Sequence, residues 1–160
     1  MNSNVPWLMA EVKGKCYCGS VEFTAQIDKI NAAGYCHCQW CRRAHAAPLY
    51  QVVYVPSTAF IITKGVEFVK KAKAPVDRPK AQLGQPSPRE FCSECGTRIC
   101  NRLPAGHDGS EFGTGFFPAA LDEATQHALP AAIKPVFNNQ TEDSVVPTEL
   151  ACMLTSWPRS

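Results

Sequence analysis

Residues 14–27 read Gly14-Lys15-Cys16-Tyr17-Cys18-Gly19-Ser20-Val21-Glu22-Phe23-Thr24-Ala25-Gln26-Ile27. Two signals meet in this stretch. Cys16 and Cys18 form a C-x-C pair able to place two thiolates on one ion. Immediately after it, Val21, Phe23, Ala25 and Ile27 alternate with Glu22, Thr24 and Gln26, the period of a strand with one buried face. A metal-binding turn leading straight into a strand sets the expectation for the whole chain: mainly β structure built around metal sites.

Working outward, seven of the nine cysteines fall into three tight groups: Cys16-Tyr17-Cys18, Cys36-His37-Cys38-Gln39-Trp40-Cys41 and Cys92-Ser93-Glu94-Cys95. The last is followed by Gly96, as in a zinc knuckle, where glycine accepts a backbone conformation that other residues resist. One knuckle supplies two of the four ligands that a closed tetrahedral site needs. The economical partition therefore joins Cys16 and Cys18 to Cys92 and Cys95 as a structural four-thiolate site. Cys36, Cys38 and Cys41 are then left as three thiolates. Three protein ligands with an open fourth position is the arrangement of a catalytic zinc. Cys100, Cys152, His37 and His45 are the side chains that could close it instead. As lone cysteines, Cys100 and Cys152 read as small buried hydrophobes.

Composition narrows the class. A chain of 160 residues with 45% hydrophobic side chains can bury an ordinary core without covalent staples. Its apolar runs are shorter than a membrane span needs, and Met1–Lys15 lacks the basic start and apolar stretch of a secretory signal. A cytoplasmic protein with reduced cysteines is expected, because close cysteine spacing there means metal more often than disulfide. The formal charge is +2 before metal loading. Seven ionised thiols set against two divalent ions would leave the protein close to neutral. That gives little electrostatic reason to hold nucleic acid, and no finger spacing with paired histidines follows any cluster. The oligomeric state has no sequence signature.

Further strands are expected at Leu49–Val55, around Ile99, at Gly113–Phe117 and at Val136-Phe137. Phe60–Thr63 and Val66–Lys70, separated by Lys64-Gly65, read as a hairpin. A short helix is expected over Gln39–Ala47, beginning at the second cysteine cluster. Pro118 and Pro130 limit the alanine-rich segment between them to a short helical turn. Residues 71–88 hold several prolines and read as a loop, as do 104–111 and the polar stretch 138–148. Residues 1–160 are expected to form one domain, with the core motifs in 13–100 and less typical sequence in 101–160.

Laid end to end, the motifs are G-K-C-Y-C-G-S-V-E-F from Gly14, Y-C-H-C-Q-W-C-R-R-A from Tyr35 and R-E-F-C-S-E-C-G-T from Arg89. Their order and spacing resemble the glutathione-dependent formaldehyde-activating enzyme family, which includes centromere protein V-like members. The resemblance implies an antiparallel β-tent fold around zinc. It makes Cys16, Cys18, Cys92 and Cys95 the structural zinc ligands, and Cys36, Cys38 and Cys41 the ligands of a catalytic zinc. Ala46 stands where many relatives carry glycine, and Lys134-Pro135-Val136-Phe137 lacks a histidine that they usually have.

The implied activity is that of a carbon–sulfur lyase or synthase. It adds the thiol of glutathione, or a similar small thiol, to a small aldehyde such as formaldehyde, with two zinc ions and glutathione as co-substrate. A free thiol is only a few per cent ionised at neutral pH, and an open zinc position can hold it as thiolate. Arg42 and Arg43 can grip the carboxylates of such a thiol or form an ordinary solvated pair, and Trp40 can wall its pocket or simply pack at the knuckle. His45 reads as an acid/base, a ligand or a packed histidine, and Arg89 as support for the strand of the second knuckle. His107 and Asp108 read as turn residues. Two other readings stand beside the thiol–aldehyde enzyme: a β-tent zinc protein acting on another small molecule, and a non-catalytic zinc-stabilised interaction module.

Overall fold

Strict alternation of buried and outward side chains in Glu11–Lys15 and Glu22–Gln26 turns one face of each strand inward. These strands, β1 and β2, pair antiparallel. The computed structural model of the protein describes residues 11–73, 88–103, 113–127, 131–139, 141–146 and 155–157. Within them the remaining strands are β3 (Ala32–Cys36), β4 (Tyr50–Val55), β5 (Phe60–Lys64), β6 (Val69–Lys71), β7 (Arg89–Cys92), β8 (Arg98–Arg102), β9 (Thr114–Phe116), β10 (Phe137–Asn139) and β11 (Thr155–Trp157). The helices are α1 (Gln39–His45) and α2 (Glu123–His127).

The protein is mainly β. A three-stranded sheet runs β1-β2-β5, and an eight-stranded sheet runs β11-β10-β3-β4-β9-β8-β7-β6. Most pairs are antiparallel, while β10 lies parallel to both β3 and β11, so the large sheet is mixed. The alternating stretch after Cys18 is β2, and α1 starts at the second cysteine cluster, as the sequence predicts. The hairpin expected across Lys64-Gly65 is not formed. β5 pairs with β2 in the small sheet, whereas β6 pairs with β7 in the large one. Gly65, at φ 70°, opens a 3-10 turn over Val66–Phe68 that carries the chain from one sheet to the other. The tightest hairpins use two-residue turns whose twist matches both strands, whereas this 3-10 turn redirects the chain into the other sheet.

Cross-strand register gives the large sheet two distinct faces. Side chains directly opposite each other on paired strands share a face. One row runs Ala33, Val53, Phe116, Cys100 and Glu90. That face packs on the small sheet in the main core, where the Phe116 ring lies 6.4 Å from both Phe23 and Phe60. Cys100 is fully buried there and donates to Glu90, in keeping with a lone structural cysteine. The adjacent row runs Ala32, Tyr54, Gly115, Asn101 and Arg89 on the opposite face. Cys36, Tyr50 and Val52 share it and form a second, smaller cluster with Cys38, Cys41 and Phe117. Gly115 is required in that row, because a Cβ there would stand 2.6 Å from the Tyr54 ring.

Helix α1 ends on Ala46, whose φ of 49° and ψ of 40° are left-handed while its N–H caps the carbonyl of Arg42. An L-residue with a Cβ is strained there by about 1–2 kcal/mol, less than which is recovered by glycine because its unfolded chain is freer. Ala46→Gly is therefore expected to raise stability by about 0.5–1 kcal/mol, a gain of about 2 °C in Tm by calorimetry. An unchanged or lower Tm would mean the strain is relieved elsewhere.

Candidate metal centre and the second thiol cluster

The turn after β1 and the turn between β7 and β8 meet at four sulfurs. Cys16, Cys18, Cys92 and Cys95 bring their Sγ atoms within 4.8 Å of one another. Two separations, Cys16–Cys18 at 3.5 Å and Cys18–Cys92 at 3.9 Å, bracket the spacing of about 3.8 Å that tetrahedral coordination with metal–sulfur bonds of about 2.3 Å requires. Gly19 and Gly96 sit at φ 75° and 76°, closing the two turns in conformations that suit glycine. The turns are also tied to each other, since the Tyr17 N–H donates to the Thr97 hydroxyl at 3.1 Å. Val21 N–H donates to the Cys16 sulfur at 3.2 Å, the kind of support that orients a thiolate ligand. Burial pushes the Cys92 thiol up to about 12. Burial likewise opposes ionisation of Cys95, but hydrogen bonds from Thr97 and Cys18 outweigh it and hold that thiol at about 6. Donor set, spacing and turn geometry all fit a metal ion held by four thiolates.

The trio Cys36, Cys38 and Cys41 lies on the other face of the large sheet, where the end of β3 runs into α1. All three side chains are buried. Their sulfurs do not all fall within the spacing that the quartet meets. The Cys41 thiol is nevertheless a hydrogen-bond neighbour of both others. Its hydrogen bond is the main reason that Cys36 is held below the usual thiol range and Cys38 is pushed well above it. Cys41 itself is raised, first by its bond with Cys36. Tyr50 also bonds within this cluster, and burial keeps its hydroxyl protonated far above the ordinary tyrosine range.

Arg89 is the guanidinium that reaches the trio, with Nη2 donating to the Cys41 sulfur at 3.4 Å. Against the cost of burial, Cys41 holds Arg89 above its ordinary value. The sequence alone places Arg89 only as support for the strand of the second knuckle. The signal that could have placed it is strand alternation: Glu90 and Cys92 point into the main core, so Arg89 and Phe91 must face the other way. Arg98, opposite Phe91 in β8, stacks its guanidinium over the Phe91 ring at 5.6 Å and donates from Nε to the Ala44 carbonyl of α1 at 2.9 Å.

The other candidates are placed as follows. Arg42 donates from Nε to the His37 carbonyl at 3.0 Å, and exposed Arg43 lies 5.2 Å over the Trp40 ring. Trp40 packs against the trio cluster. His37 is fully buried with both ring nitrogens occupied, one by Ser144 at 2.9 Å and the other by Asn138 at 3.0 Å. It ties α1's approach to β10 and has no ring nitrogen left for a metal. His45 stacks on Tyr50 at 4.1 Å with Phe117 edge-on at 4.8 Å. Burial, then the charges of Arg89 and Arg98, lower its pKa to about 3, so it is neutral at physiological pH. Cys152, His107, Asp108 and residues 74–87 lie outside the described residues. No helix among the described residues is long and apolar enough to cross a membrane.

A protein-family model described as glutathione-dependent formaldehyde-activating enzyme matches residues 11–134. No curated protein matches the chain. Among solved structures, a Rhodobacter sphaeroides protein determined by a structural genomics consortium superposes with a TM-score of 0.50 at 17% identity, covering 91% of this chain and 99% of that one. At that identity the likeness concerns the fold.

Proposed function

The chain belongs to the glutathione-dependent formaldehyde-activating enzyme family, and from that premise we propose that it is a zinc-dependent carbon–sulfur enzyme joining glutathione, or a similar thiol, to formaldehyde or another small aldehyde. In this reading residues 1–160 work as one domain, with zinc at Cys16, Cys18, Cys92 and Cys95 clasping the fold. Cys36, Cys38 and Cys41 would hold a second zinc once their sulfurs close around it. The observation that carries the reading is the segregation of two thiol groups: a quartet of neighbouring sulfurs where the turns after β1 and β7 meet, and a separate buried trio with a guanidinium at its edge.

A metal bound at the trio would supply a positive centre that keeps an incoming thiol ionised near neutral pH. The protein's own residues do the rest. Tyr50, Phe117 and Trp40 exclude water from the thiol side of α1. Arg89 sets a fixed positive charge against sulfur-borne negative charge, which a low-dielectric pocket makes more effective. The thiolate attacks the carbonyl carbon; a carbon–sulfur bond forms, the carbonyl π bond breaks and the oxygen takes up a proton. The hydroxymethyl thioether has the oxidation state of its parts, so no redox cofactor is called for. His45, neutral at physiological pH, does not act as the acid for that step.

Two-dimensional exchange spectroscopy on glutathione with 13C-formaldehyde tests this directly. Zinc-loaded protein is expected to speed interconversion of free and thiol-bound formaldehyde well above the protein-free rate, with about two zinc ions per chain by elemental analysis. An exchange rate indifferent to the protein would return the chain to the reading of a metal-stabilised binding module.

A further inference from the structure

Among the described residues, three buried side-chain polar atoms have no hydrogen-bond partner: Nη1 of Arg98, Oδ1 of Asn101 and Nε2 of His45. Such orphans are costly, and each calls for an explanation. Here all three belong to one place. Asn101 stands opposite Arg89 on the trio face, Arg98 stands opposite Phe91 on the same face, and His45 lies within reach of the charges of both arginines. Arg98 is held by α1 through the Ala44 carbonyl, so α1 and the β7–β8 pair enclose the group.

The charge of this place is equally unusual. Two half-buried guanidiniums sit close enough to repel, and no described carboxylate pairs with either; Glu90 faces the main core and is taken by Arg102. Like-charged groups are not normally gathered away from water without an anion to receive them. Arg89 has the Cys41 sulfur at 3.4 Å, whereas the orphaned nitrogen of Arg98 has nothing. The pattern of free valences, a cationic donor and an unused acceptor on the same face, matches an acid that carries an amide N–H next to its carboxylate.

We propose that Arg98, with Arg89 and Asn101, forms a recognition subsite for a peptide-type carboxylate, the guanidiniums taking the acid and Asn101 Oδ1 the neighbouring N–H, so that the thiol of the same molecule is delivered to the Cys36–Cys38–Cys41 cluster. This deepens the reading of the site as a thiol enzyme and rests on it for the identity of the ligand's sulfur end. The subsite itself does not need that chemistry. Arg42, whose Nε donates to the His37 carbonyl, and Arg43, over the Trp40 face, are the other guanidiniums that the sequence offers for this task.

The test is calorimetric binding of S-methylglutathione, which has the acid ends of glutathione and no thiol, to the zinc-loaded protein. Wild type is expected to bind it, Arg98→Gln to bind it roughly tenfold or more weakly, and the diethyl ester of S-methylglutathione to bind wild type as weakly as the variant binds the acid. Arg98→Lys, which keeps the charge and loses the fork, is expected to fall between. Thermal melts of both variants confirm that folded protein is being compared. Equal affinity of wild type and Arg98→Gln for the acid overturns the proposal, as does equal affinity of wild type for acid and ester. Arginine-dependent binding of S-methylglutathione without any exchange activity on formaldehyde would keep the subsite and remove the enzyme reading.

Discussion

Cys92→Ser is expected to cost the protein one zinc ion per chain and to lower Tm by about 10 °C or more. Cys92 is fully buried at the start of the turn that places Cys95, and its sulfur lies 3.9 Å from that of Cys18 in a turn far away in sequence. The quartet is thus a covalent-like staple between the exit of β1 and the β7–β8 connection. A four-thiolate zinc site contributes its binding free energy directly to folding, because the unfolded chain has no preformed site. Three sulfurs and a hydroxyl hold zinc far less well, since serine is not ionised at neutral pH. The main core remains, so the loss should be several kcal/mol out of the larger total rather than complete unfolding. Zinc content and Tm both equal to wild type would show that the four sulfurs do not share an ion.

Cys41→Ser is expected to do the reverse: to remove thiol–aldehyde exchange, by about a hundredfold or more, while leaving Tm within a few degrees of wild type. Cys41 is the middle member of the trio's hydrogen bonds and the partner of Arg89. A serine hydroxyl can still accept from Arg89, so no buried donor is stranded, and the quartet on the other side of the sheet is untouched. The zinc count should drop from about two to about one per chain. The measurement pairs exchange spectroscopy with metal analysis on the same sample. Full exchange activity in Cys41→Ser would exclude the trio as the reaction centre. Collapse of the fold instead would make the trio structural, with the quartet alone insufficient.

Taken together, the two substitutions separate the clasp from the site. The register of the large sheet is what keeps them apart. Cys92 lies on the core-facing side of β7 and Arg89 on the side of the trio, so one strand contributes a residue to each centre.

Much of this was legible in the sequence. The grouping of seven cysteines by spacing, the strand after Cys18 and the helix after Cys38 follow from local chemistry: ligand spacing, period-two alternation and the small glycine turns. The partition of Cys16, Cys18, Cys92 and Cys95 into one set follows from coordination number. β1, β3 and β11 were not legible as strands. β3, Ala32–Cys36, opens with Ala-Ala-Gly, which has little strand preference; it is extended because β4 and β10 pair with it on both sides. Likewise the false hairpin at Gly65 came from reading two apolar runs and a turn signal without knowing which sheet each run would join.

What the sequence determined by itself, then, is which residues can grip a metal and which segments have one apolar face, because both depend on neighbours along the chain. Which guanidinium meets the Cys41 thiol, that His37 is sealed between Ser144 and Asn138, and that Arg98 and Asn101 are left with unused valences on one face were decided only by tertiary structure. Those facts depend on strand register, and register places together residues that no spacing along the chain connects.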